Sequence, residues 1–249
     1  MEALTPLKIF IGYDHRQPIS LNVLQQSIYA RSSKPVSITP LVLKQLPLKR
    51  TGLTPFTYSR FLAPYLCGFK GWSLFLDLDM IVIDDIAKLF DYADDKYDVM
   101  VVKNQKRFEW ASVMLFNNAR CQKLVPKYVE EAERLHCISW VEEEARIGEL
   151  PSHWNHLVGY DAPRNDASLI HYTQGVPCFK ETEDSEHAGV WLDEHRMMNS
   201  AATWKELMGS SVHAAKHKGV LMPKYKLARI MEEEQKLEHQ SQKSAGAAG

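Results

Sequence analysis

The sequence lacks several features that mark whole classes of protein. Its formal net charge is −1, so it has no basic excess of the kind that a general nucleic-acid binder carries. No apolar run is long enough to cross a membrane, and residues 1–8 show no signal-peptide pattern. No repeat with a period of about 20–50 residues is visible. We therefore expect a cytoplasmic protein that does not bind nucleic acid.

Cysteine is scarce and scattered. The chain has four cysteines, and none of them forms a CxxC pair or a zinc-binding spacing: Cys67, Cys121, Cys137 and Cys178. A chain of 249 residues with 45% apolar residues can build a sizeable core without disulfides. Reduced cysteines in a cytosolic setting are therefore expected.

The most informative stretch is Ser73–Val82, in which two carboxylates interrupt an apolar run. Residues 73–76 predict a buried strand, and Asp77 and Asp79 follow it one residue apart. Alternation along the strand places both carboxylates on one side and packs Leu78 on the other. Two carboxylates at a buried strand end favour a divalent cation with a phosphate-bearing ligand beyond it. The alternative is a strand end with two solvated aspartates.

The chain opens as strand, helix and strand, which favours an α/β sheet with parallel pairing. Residues 7–12 predict the first strand, the helix begins at Pro18, and residues 36–43 predict the second strand. Ligands of such sheets bind beyond the carboxyl ends of strands, where Tyr13 and Asp14 lie. Tyr13 would stack on a base and Asp14 would accept hydrogen bonds from it, unless both are ordinary loop residues.

The remaining pattern predicts further elements around the Asp pair. We expect helices over 57–68 and 121–135, and strands over 97–102, 109–116 and 167–172, the last ending in a histidine before a Gly/Pro loop. The segment 151–166 is rich in aromatic and hydrogen-bonding side chains, which often line a site.

Taken together, these pieces resemble the nucleotide-sugar glycosyltransferases of the GT-A fold, and family 8 with its bacterial relatives in particular. The resemblance rests on four features in order: the polar loop at Tyr13, the segment Thr57–Phe61, the strand Phe75–Val82, and Ile170–Tyr172 followed by Gly175. It covers residues 7–180. It implies an α/β, Rossmann-like GT-A domain with a central mixed, mainly parallel sheet.

The resemblance also implies the residues of the site. It assigns Asp77, Asp79 and His171 to the metal, and Arg60 to the donor sugar or diphosphate. It makes one of the acidic residues 142–144 the substitute for the family's Gln-Asp pair, so that the expected catalytic residues are Arg60, Glu142 and Glu143. Substrate and nucleotide contacts are expected from Tyr13, Asp14, Tyr58, Arg60, Asp77, Leu78, Trp110, Ala111, Ser112, Gly175 and Lys180.

The chemistry expected of that site agrees with its residue types. Negative charge builds on a diphosphate leaving group as the glycosidic bond breaks, and a divalent cation stabilises that charge without proton transfer. Aspartate oxygens with one imidazole suit Mn²⁺ or Mg²⁺, and Mn²⁺ tolerates nitrogen better. Mn²⁺, or else Mg²⁺, is therefore the expected cofactor.

The expected domain organisation has three parts. Residues 1–185 form the catalytic domain, residues 186–243 a C-terminal helical extension, and residues 244–249 a disordered tail. The extension has a basic segment over 205–229. Either this segment contacts an acidic membrane surface, or it is a solvated helix. The protein is thus expected in the cytoplasm, with peripheral membrane contact as one alternative.

The expected activity is transfer of a sugar, from a UDP-sugar by preference, to a glycan, lipid-linked or protein acceptor in bacterial surface-polysaccharide synthesis. Two alternatives stay open. One is a non-catalytic protein that binds a nucleotide sugar and metal. The other is a phosphatase of the haloacid-dehalogenase type, which also places an Asp-x-Asp at the end of a buried strand.

Overall fold

The computed structural model describes residues 5–198. These residues form nine strands and five α-helices, joined by short 3₁₀ turns. The strands are β1 Leu7–Gly12, β2 Val36–Leu41, β3 Trp72–Leu76, β4 Met80–Val82, β5 Val99–Val101, β6 Val113–Asn117, β7 Ile147–Glu149, β8 His156–Leu157 and β9 Leu169–His171. The helices are α1 Pro18–Arg31, α2 Ala63–Leu66, α3 Ala87–Phe90, α4 Pro126–Glu131 and α5 Ala188–Met198.

The central sheet has six strands in the order β2-β1-β3-β6-β5-β7. Strands β2, β1 and β3 are parallel, and so are β5 and β7, whereas β6 runs antiparallel to both of its neighbours. Ile9, Ile11 and Phe75 are fully buried, as the apolar runs predict for strands covered on both faces. The expectation of a mixed, mainly parallel α/β sheet is confirmed.

A second, smaller sheet has the order β4-β9-β8. Strand β4 pairs antiparallel with β9, and β8 pairs parallel with β9. Ile81 and Ile170 of this sheet belong to a separate core cluster with Val23 of α1 and Trp191 of α5, whereas its other face joins the main core. Helix α5 is also joined to α1 by an ion pair in which Arg31 Nη2 lies 2.7 Å from the buried Glu194 Oε2.

Two elements are shorter than the sequence predicts. The strand expected over 109–116 begins only at Val113, because Arg107–Ala111 forms a 3₁₀ helix. In that turn Ser112 N–H donates to Glu109 O, and the Trp110 indole donates to Asn104 O. The helix expected over 121–135 is reduced to α4, because Pro126 has no N–H to donate inside a helix and suits its first position instead.

The segment expected as one helix over 57–68 is divided in the same way. Ser59–Leu62 forms a 3₁₀ helix and α2 follows it, with Pro64 in the first turn of α2. Within residues 5–198, no helix combines the length and the apolar character needed to cross a membrane.

The predicted basic segment 205–229 and the predicted tail 244–249 lie outside the described residues. Of the predicted extension, only the part up to Met198 is described, and it contains α5. The division of the chain at residue 185 stays a prediction, as does the membrane contact.

Candidate metal and nucleotide-sugar site

The three residues predicted to bind a metal lie together where the two sheets meet. Asp77 directly follows β3, Asp79 directly precedes β4, and His171 is the last residue of β9. The antiparallel register of β4 and β9 sets Met80 opposite His171, and Tyr172 N–H donates to Asp79 O at 2.9 Å. One ligand atom from each of the three side chains lies within 4.8 Å of the others.

His171 and Asp79 are in direct contact. His171 Nε2 lies 3.2 Å from Asp79 Oδ1, and His171 is buried while Asp79 is 28% exposed. Burial by itself lowers the pKa of His171, but the carboxylates of Asp79, Asp77 and Glu109 outweigh it and raise that pKa. The pocket is therefore strongly negative, and a proton or a cation at His171 is favoured.

The other nitrogen of His171 faces Asn155. His171 Nδ1 lies 3.2 Å from Asn155 Oδ1, while Asn155 Nδ2 donates to Ser112 Oγ at 3.0 Å. This network assigns the amide oxygen to the imidazole side, so that Nδ1 carries the proton. Nε2 then faces Asp79 and can act as a metal ligand when it gives up its proton, which is the usual arrangement of a metal-binding histidine and its outer-shell partner.

Asp77 is paired with Arg60. Arg60 Nη1 lies 2.9 Å from Asp77 Oδ1 and also donates to Ala111 O at 2.8 Å, and both side chains are about nine-tenths buried. Burial raises the pKa of Asp77 to about 7, although the positive charges of Arg60 and His171 oppose the rise. Asp77 Oδ1 accepts no hydrogen bond of good geometry from the described residues, so it has capacity for a further ligand.

The segment 110–112 contacts the Asp pair through its backbone. Ala111 O accepts from Arg60, and Ser112 O accepts from Asp77 N–H at 3.1 Å. Trp110 is buried beneath the guanidinium of Arg107, which lies 4.6 Å from its ring centroid. The resemblance predicted this segment beside the sugar, and the structure places it beside the carboxylates and Arg60.

Tyr13 lines a pocket of about 770 Å³ together with His15, Arg16 and the segment 42–55. Asp14 is buried and forms an ion pair with Arg16, so its carboxylate is already engaged. Burial alone would raise the pKa of Asp14, but the hydrogen bonds and charge of Arg16 lower it. Tyr58 lies under Arg50, whose guanidinium carbon is 3.7 Å from the ring centroid.

The other predicted residues are more dispersed. Gly175 and Lys180 line a separate cleft of about 270 Å³, and Leu78 is buried in the core. Glu142 is 84% exposed and lies 3.4 Å from Lys123 Nζ, and Glu143 is also exposed. No contact among the described residues joins either glutamate to the Asp pair, and the catalytic role expected of them stays a prediction.

Two residues near the metal ligands were missed by sequence reasoning. Asn155 falls in the aromatic and polar stretch 151–166 that was expected to line a site, but nothing in the pattern singled it out. Glu109 lies close enough for its charge to raise the pKa values of Asp77 and His171. It was assigned to a strand, whereas it belongs to the 3₁₀ helix Arg107–Ala111.

The residues present fit a divalent cation. Two carboxylates and one imidazole converge, the imidazole nitrogen has the right tautomer, and Asp77 Oδ1 is buried with unused acceptor capacity. Oxygen donors with one nitrogen suit Mn²⁺ or Mg²⁺. Asp79 and His171 would hold the ion directly, and Asp77 lies beside them.

Several solved glycosyltransferases have a similar fold. WbbM, a bifunctional glycosyltransferase, gives a TM-score of 0.61 at 16% identity over 83% of this chain, and this chain spans 51% of it. The galactosyltransferase LgtC, solved with donor and acceptor sugar analogues, gives 0.56 at 14% identity over 78% of this chain and 97% of LgtC. GlyE of Streptococcus pneumoniae gives 0.55 at 18% identity over 77% of this chain, which spans 60% of GlyE.

No family model matches the sequence. A curated relative does: protein CDI of Arabidopsis thaliana is 34% identical over 230 residues, which covers 78% of this chain and 88% of the relative. The GT-A fold expected from the sequence is confirmed by the solved structures. The chain belongs to the family of Arabidopsis protein CDI, and its fold is the GT-A fold of the glycosyltransferases.

Proposed function

We propose that this protein transfers a sugar from a nucleoside diphosphate sugar to a glycan, lipid-linked or protein acceptor, with the help of a divalent cation. The observation that carries the proposal is the convergence of Asp77, Asp79 and His171 at the junction of the two sheets. In α/β sheets this edge, beyond the carboxyl ends of the strands, is where ligands bind.

Mn²⁺, or else Mg²⁺, supplies positive charge to the diphosphate leaving group when it is bound there. The chain's own residues hold the proposed metal ligands in position. Asn155 fixes the tautomer of His171. Arg60 holds Asp77 in position, and its guanidinium adds a positive charge beside the candidate metal site. Arg60 Nη1 is already engaged by Asp77 and Ala111 O. We therefore propose that Arg60 acts on the donor through its positive charge.

The pocket beside Tyr13 is the proposed nucleotide site. Its volume of about 770 Å³ falls in the range of small-molecule pockets, about 300–1,000 Å³. Tyr13 offers a ring face for the base, and Lys44 and Lys49 add positive charge to the lining. UDP is our first choice of nucleotide because of the resemblance to family 8. Tyr13→Ala should weaken UDP binding about tenfold, since stacking a base is worth about 1–3 kcal/mol.

Turnover tests the proposal. The full chain is incubated with Mn²⁺ and a panel of UDP- and GDP-sugars, and release of nucleoside diphosphate is measured with and without candidate acceptors. The expected result is release that Mn²⁺ stimulates and Asp79→Ala abolishes. Calorimetry in Mn²⁺ that detects no binding of UDP, GDP or any nucleotide sugar would overturn it.

The same experiment separates the alternatives. A non-catalytic binding protein would bind nucleotide sugar in calorimetry and release no nucleoside diphosphate with any acceptor. The phosphatase alternative requires a fold other than the GT-A fold, and we do not retain it. A role in bacterial surface-polysaccharide assembly, a cytoplasmic location and any membrane contact stay predictions, which fractionation of the native host would test.

A further inference from the structure

A second group of side chains outside the nucleotide-sugar site has the composition of a metal centre. Within residues 5–198, two groups of three His, Cys, Asp or Glu side chains bring one ligand atom each to within 4.8 Å of one another. One is the group of Asp77, Asp79 and His171. The other is His156 on β8 with Glu186 and His187, the pair of residues directly before α5.

The atoms of this second group converge on one carboxylate oxygen. His156 Nε2 lies 3.2 Å from Glu186 Oε1, and His187 Nε2 lies 3.0 Å from the same oxygen. A tetrahedral ion with bonds of about 2.0–2.1 Å holds its ligand atoms about 3.3 Å apart. The two spacings are therefore those of neighbouring ligands around a single zinc-sized ion.

The contacts with Glu186 do not satisfy the hydrogen-bonding capacity of these nitrogens. His156 is fully buried, and among the residues that the structure describes neither of its ring nitrogens has a hydrogen bond of acceptable geometry, nor does His187 Nε2. An uncompensated buried polar group is costly. A metal ion at Nε2 of both rings would relieve that cost for two of these atoms at once.

Neighbouring groups orient the proposed ligands. Asp161 Oδ2 lies 3.8 Å from His156 Nδ1, which is beyond hydrogen-bond range, so its carboxylate acts on that side of the ring only through its charge. Arg164 N–H donates to Glu186 Oε1 at 3.2 Å, and the Tyr172 hydroxyl donates to His187 O at 2.9 Å. Glu186 and His187 are only half-buried, which leaves a path for an ion from solvent.

We propose that His156, Glu186 and His187 form a second metal site, specific for Zn²⁺ or a similar transition ion and distinct from the site at Asp79. Two imidazoles and one carboxylate favour Zn²⁺, whereas two carboxylates and one imidazole favour Mn²⁺ or Mg²⁺. The ion would tie β8 to the start of α5 and fix the loop that follows His171. The site is structural and does not depend on the proposed sugar transfer.

Metal titration of the full chain tests the site. Chelator-treated protein is titrated with Co²⁺, whose visible absorption reports four-coordinate binding, and then with Zn²⁺ in competition. The titrations and the melting measurements use the Asp79→Ala/His171→Ala double variant as the parent protein, because the first site would also bind Co²⁺ and Zn²⁺, and we expect one equivalent to bind to it. His187→Gln and Glu186→Gln should weaken that binding by about 100-fold or more, since even outer-shell changes cost about 10–100-fold.

His153→Gln is the matched control, because His153 lies three residues before His156 and outside the group. It should bind the ion as the parent does. Zn²⁺ should also raise the melting temperature of the parent and the control, and not of His187→Gln. His156→Gln is a weaker test, because His156 is fully buried and its replacement can disturb the folding of the protein. Unchanged Zn²⁺ affinity in folded His187→Gln and Glu186→Gln would overturn the proposal.

Discussion

The imidazole of His171 is held in place by Asn155, whose amide oxygen lies 3.2 Å from Nδ1, with both side chains buried. Asn155 lies in the short segment between a 3₁₀ turn and β8, and its amide nitrogen is anchored on Ser112. One side chain thereby connects the segment before β8, the residue directly before β6 and a proposed metal ligand. This connection makes Asn155 a positioning residue whose effect can be measured.

Asn155→Ala should weaken Mn²⁺ binding in the presence of UDP by about 10–100-fold, because the His171 ring loses its tautomer and orientation. Mn²⁺ titration followed by calorimetry measures the effect. Asn104→Ala is the control, since Asn104 Oδ1 accepts from the backbone N–H of Lys106 and does not contact His171 among the described residues. A parent-like Mn²⁺ affinity in folded Asn155→Ala would show that His171 does not need this partner.

Asp79→Ala and His171→Ala should each abolish most metal-dependent nucleotide binding. The free energy of unfolding of the metal-free protein should change by less than about 1 kcal/mol for Asp79→Ala, because that carboxylate is partly exposed and lies in a negative pocket. Mn²⁺ titration beside thermal melting checks both statements. If both variants fold normally and keep the parent's affinity, the metal lies elsewhere.

Arg60→Ala should destabilise the protein by about 3 kcal/mol, since it leaves a buried carboxylate without its partner. Asp77→Asn alone should cost less, because an amide oxygen can still accept from Arg60 and the guanidinium keeps its bond to Ala111 O. The double variant should lose less stability than the sum of the losses in the two single variants. Urea unfolding of the four proteins measures the coupling, and strictly additive losses would show that the Arg60–Asp77 contact contributes nothing.

The metal-free protein should lose stability as the pH falls from about 6.5 to about 4, in part through His136. Burial, and to a lesser degree the charge of Arg60, lower the pKa of His136 to about 4. The unfolded chain therefore takes up a proton in this window that the folded chain does not, and the free energy of unfolding falls with it.

His136→Phe should flatten that part of the pH profile of the melting temperature. His136 stacks on Phe108 at 5.0 Å between ring centroids and meets Phe61 edge-on, so a phenyl ring keeps the packing. His15→Gln serves as the control, because His15 is 77% exposed. An unchanged slope between pH 4 and 6.5 in His136→Phe would remove His136 from the explanation.

The sequence by itself determined the first strands of the central sheet and predicted the three residues that converge at the candidate metal site. The apolar runs of β1 and β3 and the helical spacing from Pro18 are local signals, since burial on both faces of a strand or on one face of a helix leaves a period in the chain. Asp77 and Asp79 were visible because two carboxylates directly follow an apolar run. His171 was visible because a Gly/Pro loop follows it and because the ordered motifs resembled a family.

Only the tertiary structure decided which side chains meet across the chain. The register of β4 on β9 sets His171 beside Asp79, and it depends on strands some 90 positions apart, which leave no joint periodicity. Asn155, Glu109 and the Arg60–Asp77 pair act through contacts of this kind. The meeting of His156 with Glu186 and His187 likewise depends on the tertiary structure. His156 lies 30 positions before the adjacent pair, and that separation is not a spacing that a sequence pattern could detect.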